Sequence, residues 1–143
     1  MAAGGFGTLA SFFPDRTVVT YDPRGLDRSR RKDGRADHSP AVRAGDVHAV
    51  IEALDAGPVD LFAGSGGAVA ALALVAAHPG DVAVGEETLD VLTGRTAVAT
   101  ARLLGQEANV FPSHYGGFLG GEFGYAGQPE AFSHKLRAVL DDR

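Results

Sequence analysis

The run Val59-Asp60-Leu61-Phe62-Ala63-Gly64-Ser65-Gly66-Gly67-Ala68-Val69-Ala70 constrains this chain more than any other. A short apolar stretch breaks there on small residues and continues as an Ala-rich helix. A strand that turns into a helix at a serine lifts the hydroxyl above a sheet edge, where it can act as a nucleophile. Ala63 and Gly67, two positions before and two after, let strand and helix pack closely, although glycine is more usual at the first of them. The backbone N–H of Gly66 would then point at an oxyanion. The plainer reading of the same residues is that Ser65 is a helix N-cap.

The chain of 143 residues has the size of one domain, 1–143, and can bury a core. Its 45% hydrophobic and 22% charged residues describe a globular chain rather than a disordered one. A net charge of −5 argues against a nucleic-acid partner. The local basic run of Arg24, Arg28, Arg30, Arg31, Lys32 and Arg35 is broken by Asp27 and Asp33 and reads as a solvated surface. The longest apolar run, 68–77, is too short to span a bilayer, so no membrane partner is expected. The opening residues lack the charge and apolar core of a secretion signal. The absence of cysteine excludes a disulfide framework, a thiol nucleophile and a Cys-based zinc site, and fits a cytoplasmic setting.

Periodicity divides the chain into alternating elements. Phe6, Leu9, Ala10 and Phe13 suggest a short helix stopped by Pro14. Residues 17–21 are β-branched and aromatic, which predicts a strand. Ser39-Pro40 starts a helix carrying Val47, Val50, Ile51 and Leu54 on one face, ended by Gly57-Pro58. A strand over 59–62 leads to Ser65 and to a helix that is apolar all round, hence expected to be buried. A short strand at 82–84, a helix over 89–104 that Gly94 splits or delays, and a strand at 109–111 follow. The glycine-rich stretch 116–127 reads as loop, and Pro129-Glu130 opens a last helix. Such alternation predicts an α/β fold with a compact parallel sheet of about four strands and helices on both faces.

A serine nucleophile needs a base, and the base needs an orienting acid. His114 follows the predicted strand 109–111, and Glu86 and Glu87 follow the strand 82–84. In a parallel sheet all three groups emerge at the carboxyl ends of strands, in the chain order serine, acid, histidine. Each also has a bland role: His114 as a loop histidine, the two glutamates as acids favoured at a helix start. His38, His48, His78 and His134 show no ligand spacing, so neither a metal nor another cofactor is expected.

Tyr21-Asp22-Pro23-Arg24-Gly25, the Ser65 turn and Phe111-Pro112-Ser113-His114-Tyr115-Gly116-Gly117-Phe118 together resemble the α/β-hydrolase fold family, in particular its small bacterial members. The resemblance implies Ser65 as nucleophile, His114 as base, and Glu87 or, second, Glu86 as acid. It also implies an oxyanion hole from Gly66 and the loop around Gly5 and Phe6. The implied activity is hydrolysis of a small ester or related acyl substrate. Two family segments have no counterpart: the strand before the Phe6 helix, and the strand and lid after the Ser65 helix. Strands 17–21 and 82–84 would then pair directly with 59–62 in a reduced sheet. Alternatively, the exposed sheet edge would pair with a second copy in a homodimer.

Two other functions stay open. The missing segments suit a degenerate, non-catalytic relative that serves as a binding or interaction module. Gly64 and Gly66 at a helix start, with Glu86 about 20 residues on, resemble part of a dinucleotide fingerprint, but Val69 occupies the place of its third glycine.

Overall fold

A proline at the first helical position gives up an amide hydrogen that the helix would not have used. Helix α2 (Pro40–Leu54) begins in this way in the computed structural model, which describes residues 6–35, 37–75 and 82–142. It ends at Asp55 in a left-handed conformation, φ 47°, just before Gly57. The described chain falls into two units, Thr20–Pro79 and Gly80–Arg143, the second including Gly4–Val19.

In the Thr20–Pro79 unit, α2 packs against α3 (Gly66–Val75). The buried apolar residues of this pair are Ala44, Val47 and Ala70. The all-apolar α3 was expected to be buried, yet Val69 is 53% and Leu72 40% exposed. Three residues of the basic run ahead of α2 form ion pairs: Arg24 with Asp46, Arg28 with Asp22 and Arg31 with Asp33.

The second unit contains a strand–helix–strand crossover. Strands β1 (Ala83–Gly85) and β2 (Asn109–Phe111) pair in parallel, with Ala83 opposite Asn109 and Gly85 opposite Phe111. Helix α4 (Leu92–Leu103) connects them after a 3-10 turn over Glu86–Thr88. Gly94 does not split this helix. It lies against the preceding turn, where a Cβ would stand 1.8 Å from the Thr88 carbonyl oxygen. Helix α5 (Pro129–Asp141) presents Phe132 to β2, its ring 4.6 Å from that of Phe111 and 5.8 Å from that of Phe118. Leu9 of α1 (Gly7–Ser11) and the neighbouring Phe13 complete this core. Arg137 on α5 lies over the Phe13 ring at 4.8 Å and holds both oxygens of Asp15 at 2.9 Å.

The expected α/β architecture, a reduced α/β-hydrolase fold built on about four parallel strands, is overturned. The described residues are mainly helical, and their only ladder joins two strands of three residues. Neither 17–21 nor 59–62 forms a strand. Apolar alternation marks a surface suited to a pleated neighbour, but a strand exists only where a neighbour accepts its backbone hydrogen bonds. Val18 and Val19 are 48% and 45% exposed, and Val59 and Leu61 are also exposed, so these segments have extended-type sequence without the burial that a central strand brings. No helix of the described residues is long and apolar enough to cross a membrane.

Candidate functional site

Ser65 follows a segment without regular secondary structure and stands immediately before α3, with Gly66 as the first helical residue. Its φ of 54° is left-handed, a conformation that costs an L-residue about 1–2 kcal/mol. The turn is closed by the Gly67 N–H donating to the Gly64 carbonyl at 3.0 Å and the Ala68 N–H donating to the Ser65 carbonyl at 3.0 Å. The residue is exposed. A strained, accessible serine at a helix start is therefore present, as the small residues around it suggest.

The other expected site residues belong to the second unit. His114 follows β2 and Ser113, which is buried and left-handed at φ 70°. The imidazole is bound by its own loop: Nδ1 accepts the Gly116 N–H at 2.9 Å, and Nε2 stands 3.4 Å from the Ala126 carbonyl oxygen. An accepting Nδ1 places the ring proton on Nε2. A relay histidine needs the opposite tautomer, with Nδ1–H facing an acid and Nε2 free to accept the serine proton.

The two glutamates stand beside Ser113. Glu86 Oε1 accepts the Ser113 N–H at 3.4 Å, and the Glu87 N–H donates to the Ser113 carbonyl at 3.2 Å. Both side chains are exposed at the Glu86–Thr88 turn, where acids favour a helix start. Phe6 stacks its ring on Phe118, with centroids 5.3 Å apart and planes within 8°. Gly5 lies outside the described residues. Ser65 and Gly66 are thus held in one unit, and Phe6, Glu86, Glu87 and His114 in the other. Neither unit contains the expected hydroxyl, imidazole and carboxylate as a set. Among the described residues no group of three or more His, Asp or Glu side chains is placed to hold a metal ion.

What the structure does assemble is an aromatic surface on segment 114–127. The His114, Tyr115 and Tyr125 rings meet pairwise, with centroids 5.8, 6.2 and 6.1 Å apart. Tyr115 and Tyr125 are 56% and 47% exposed, and Phe123, two residues before Tyr125 in the chain, is 55% exposed at a left-handed φ of 58°. A hydrogen bond with the Tyr125 side chain raises the Tyr115 phenol above its ordinary value, the charge of a Tyr125 phenolate adding to the effect. The Glu122 carboxylate accepts from the Thr8 hydroxyl and, at 2.5 Å, from the Gly120 N–H, and the Thr8 bond first of all lowers its pKa. The sequence carried a signal for this surface: His, Tyr and Phe interleaved with glycine, where an ordinary loop carries small polar residues.

No protein-family model, no curated protein and no solved structure matches this chain. The resemblance to α/β hydrolases is therefore unsupported by relatives as well as contradicted by the fold.

Proposed function

We propose that the chain is a non-catalytic binding module whose contact surface is the aromatic loop 114–127. The observation that carries this reading is the state of His114, whose Nδ1 is committed to the Gly116 N–H and whose Nε2 faces the Ala126 carbonyl. An imidazole used as a structural clasp is not available to move a proton. Exposed aromatic side chains on a loop held by backbone bonds are, in contrast, the usual anchors of an interface. A chain without cysteine suits a reducing compartment, which supports a cytoplasmic setting.

The test is exposure of the folded protein to a fluorophosphonate probe and to a small chromogenic ester. The expected result is no labelling and no turnover above that of a Ser65→Ala variant. Labelling at Ser65, together with turnover that His114→Ala abolishes, would overturn the reading.

A second reading has its own observation. The left-handed, exposed Ser65 at the start of α3 favours attack on a small acyl substrate, such as an ester, by its hydroxyl. Turnover lost in Ser65→Ala would favour it.

A further inference from the structure

We propose that the His114, Tyr115 and Tyr125 rings form a seat for a small quaternary ammonium compound, one bearing a trimethylammonium group. This rests on the reading of loop 114–127 as a binding surface and names its ligand class.

The geometry selects the ligand shape. The three centroids form a nearly equilateral triangle with sides of 5.8, 6.2 and 6.1 Å. Its centre lies about 3.5 Å from each centroid (the side divided by √3), so a cation a few ångströms above it lies within roughly 6 Å of all three, the range of cation–π attraction for a ring that turns its face to the cation. The ring planes are inclined to one another by 58°, 59° and 64°. A flat ligand, such as a sugar ring or a nucleobase, can stack on one of them only. A compact, nearly spherical group has no such restriction.

Charge selects the ligand sign. Ring faces are electron-rich and attract cations. His114 contributes as a neutral ring, because its Nδ1 lone pair accepts the Gly116 N–H. Glu122 on the same loop is held in its ionised form by Thr8 and Gly120, and the chain carries a net charge of −5. No cationic side chain lies within 114–127.

The loop keeps the rings in place before any ligand arrives. A Cβ on Gly117 would stand 2.6 Å from the Pro112 carbonyl oxygen, and one on Gly127 2.5 Å from that of Gly117. The Gly127 and Gln128 N–H groups donate to the Leu119 and Gly117 carbonyls, each at 2.9 Å, and Gly120 bridges Ala126. Backbone packed so closely leaves little freedom to lose on binding.

The test is calorimetric titration of the full chain with choline chloride, against sodium chloride at matched ionic strength. The neutral carbon isostere 3,3-dimethyl-1-butanol serves as the second ligand. Saturable binding of choline without saturable binding of the isostere is expected. Tyr115→Leu and Tyr125→Leu should each weaken choline binding about fivefold or more, whereas Tyr125→Phe, which keeps the ring, should stay within about twofold. Equal binding of the isostere, no saturable choline binding by folded wild-type protein, or unchanged affinity in the Leu variants would overturn the proposal. The choline-against-isostere comparison needs no variant to fold. Failure here with no probe labelling at Ser65 removes the ligand class alone, whereas labelling at Ser65 with turnover removes the binding-module reading.

Discussion

In the Gly80–Arg143 unit, with Gly4–Val19, apolar side chains arrive from several directions: Leu9 and Phe13 from the first segment, Phe111 from β2, Leu119 from the loop and Phe132 from α5, all buried. Among the described residues of the Thr20–Pro79 unit the buried apolar ones are Ala44, Val47 and Ala70, while Val59, Leu61, Val69 and Leu72 are exposed. The Thr20–Pro79 unit does not lack apolar residues; its α3 is made only of Gly, Ala, Val and Leu. The difference lies in what meets them. A helix pair covers one stripe of each helix, whereas a strand pair, two helices and a glycine-tight loop enclose a ring from all sides. Burial follows from the number of elements that converge on a residue more than from the hydropathy of its own segment.

The sharpest way to break this comparison is to truncate one buried side chain in each unit. Phe132→Ala removes a ring packed on Phe111 and Phe118 and should cost about 4 kcal/mol in denaturant unfolding, whereas Val47→Ala in α2 should cost about 2 kcal/mol. Equal losses would mean that the aromatic core is no better enclosed than the helix pair.

A smaller effect is expected at the Ser65 turn. Glycine accepts a φ of 54° without strain, so Ser65→Gly should leave stability unchanged or raise it by up to about 1 kcal/mol, the gain limited by the freer unfolded chain. A clear loss of stability in a thermal melt would show that the turn is not left-handed in solution.

The smallest effects belong to exposed ion pairs, and here the units differ in reach. Arg137 holds the Asp15 carboxyl at about 2, below the ordinary 3.8, and Arg31 holds Asp33 likewise at about 2. A carboxyl with a lowered folded pKa adds stability above about 3.8, and that stability fades as pH falls toward about 2. Asp15 and Arg137 lie far apart in sequence, whereas Asp33 and Arg31 are near neighbours that can also meet in the unfolded chain. Asp15→Asn should therefore flatten the fall in stability between pH 4 and pH 2 more than Asp33→Asn does. An equal response in acid titrations followed by circular dichroism would remove the distinction.

Local signals in the sequence were legible where one residue suffices to set the backbone. Ser39-Pro40 and Pro129-Glu130 mark the starts of α2 and α5, and residues 109–111 form a strand as their pattern suggests. Propensity alone marks Gly94 as a residue that splits the helix or delays its start; α4 begins at Leu92 and runs through Gly94, which is needed for its missing side chain, beside Thr88. The strands at 17–21 and 59–62 failed for a non-local reason, since pattern does not supply a partner for the backbone. At the site, the turn at Ser65 was readable from its small neighbours. The fate of His114 was not, because the contacts that fix its tautomer come from Gly116 and, across a loop, from Ala126. The chain order of Ser65, Glu87 and His114 likewise says nothing of which unit each one joins.

Gly85, at the end of β1, leaves room for no more than a hydrogen: a Cβ there would stand 2.7 Å from the Ser113 carbonyl oxygen and from the His114 carbonyl carbon. One missing methyl group thus sets the clearance between the first strand and the stem of the tyrosine-bearing loop. A change at this single codon would act at a distance as a wedge, displacing the recognition surface while leaving each of its rings chemically intact.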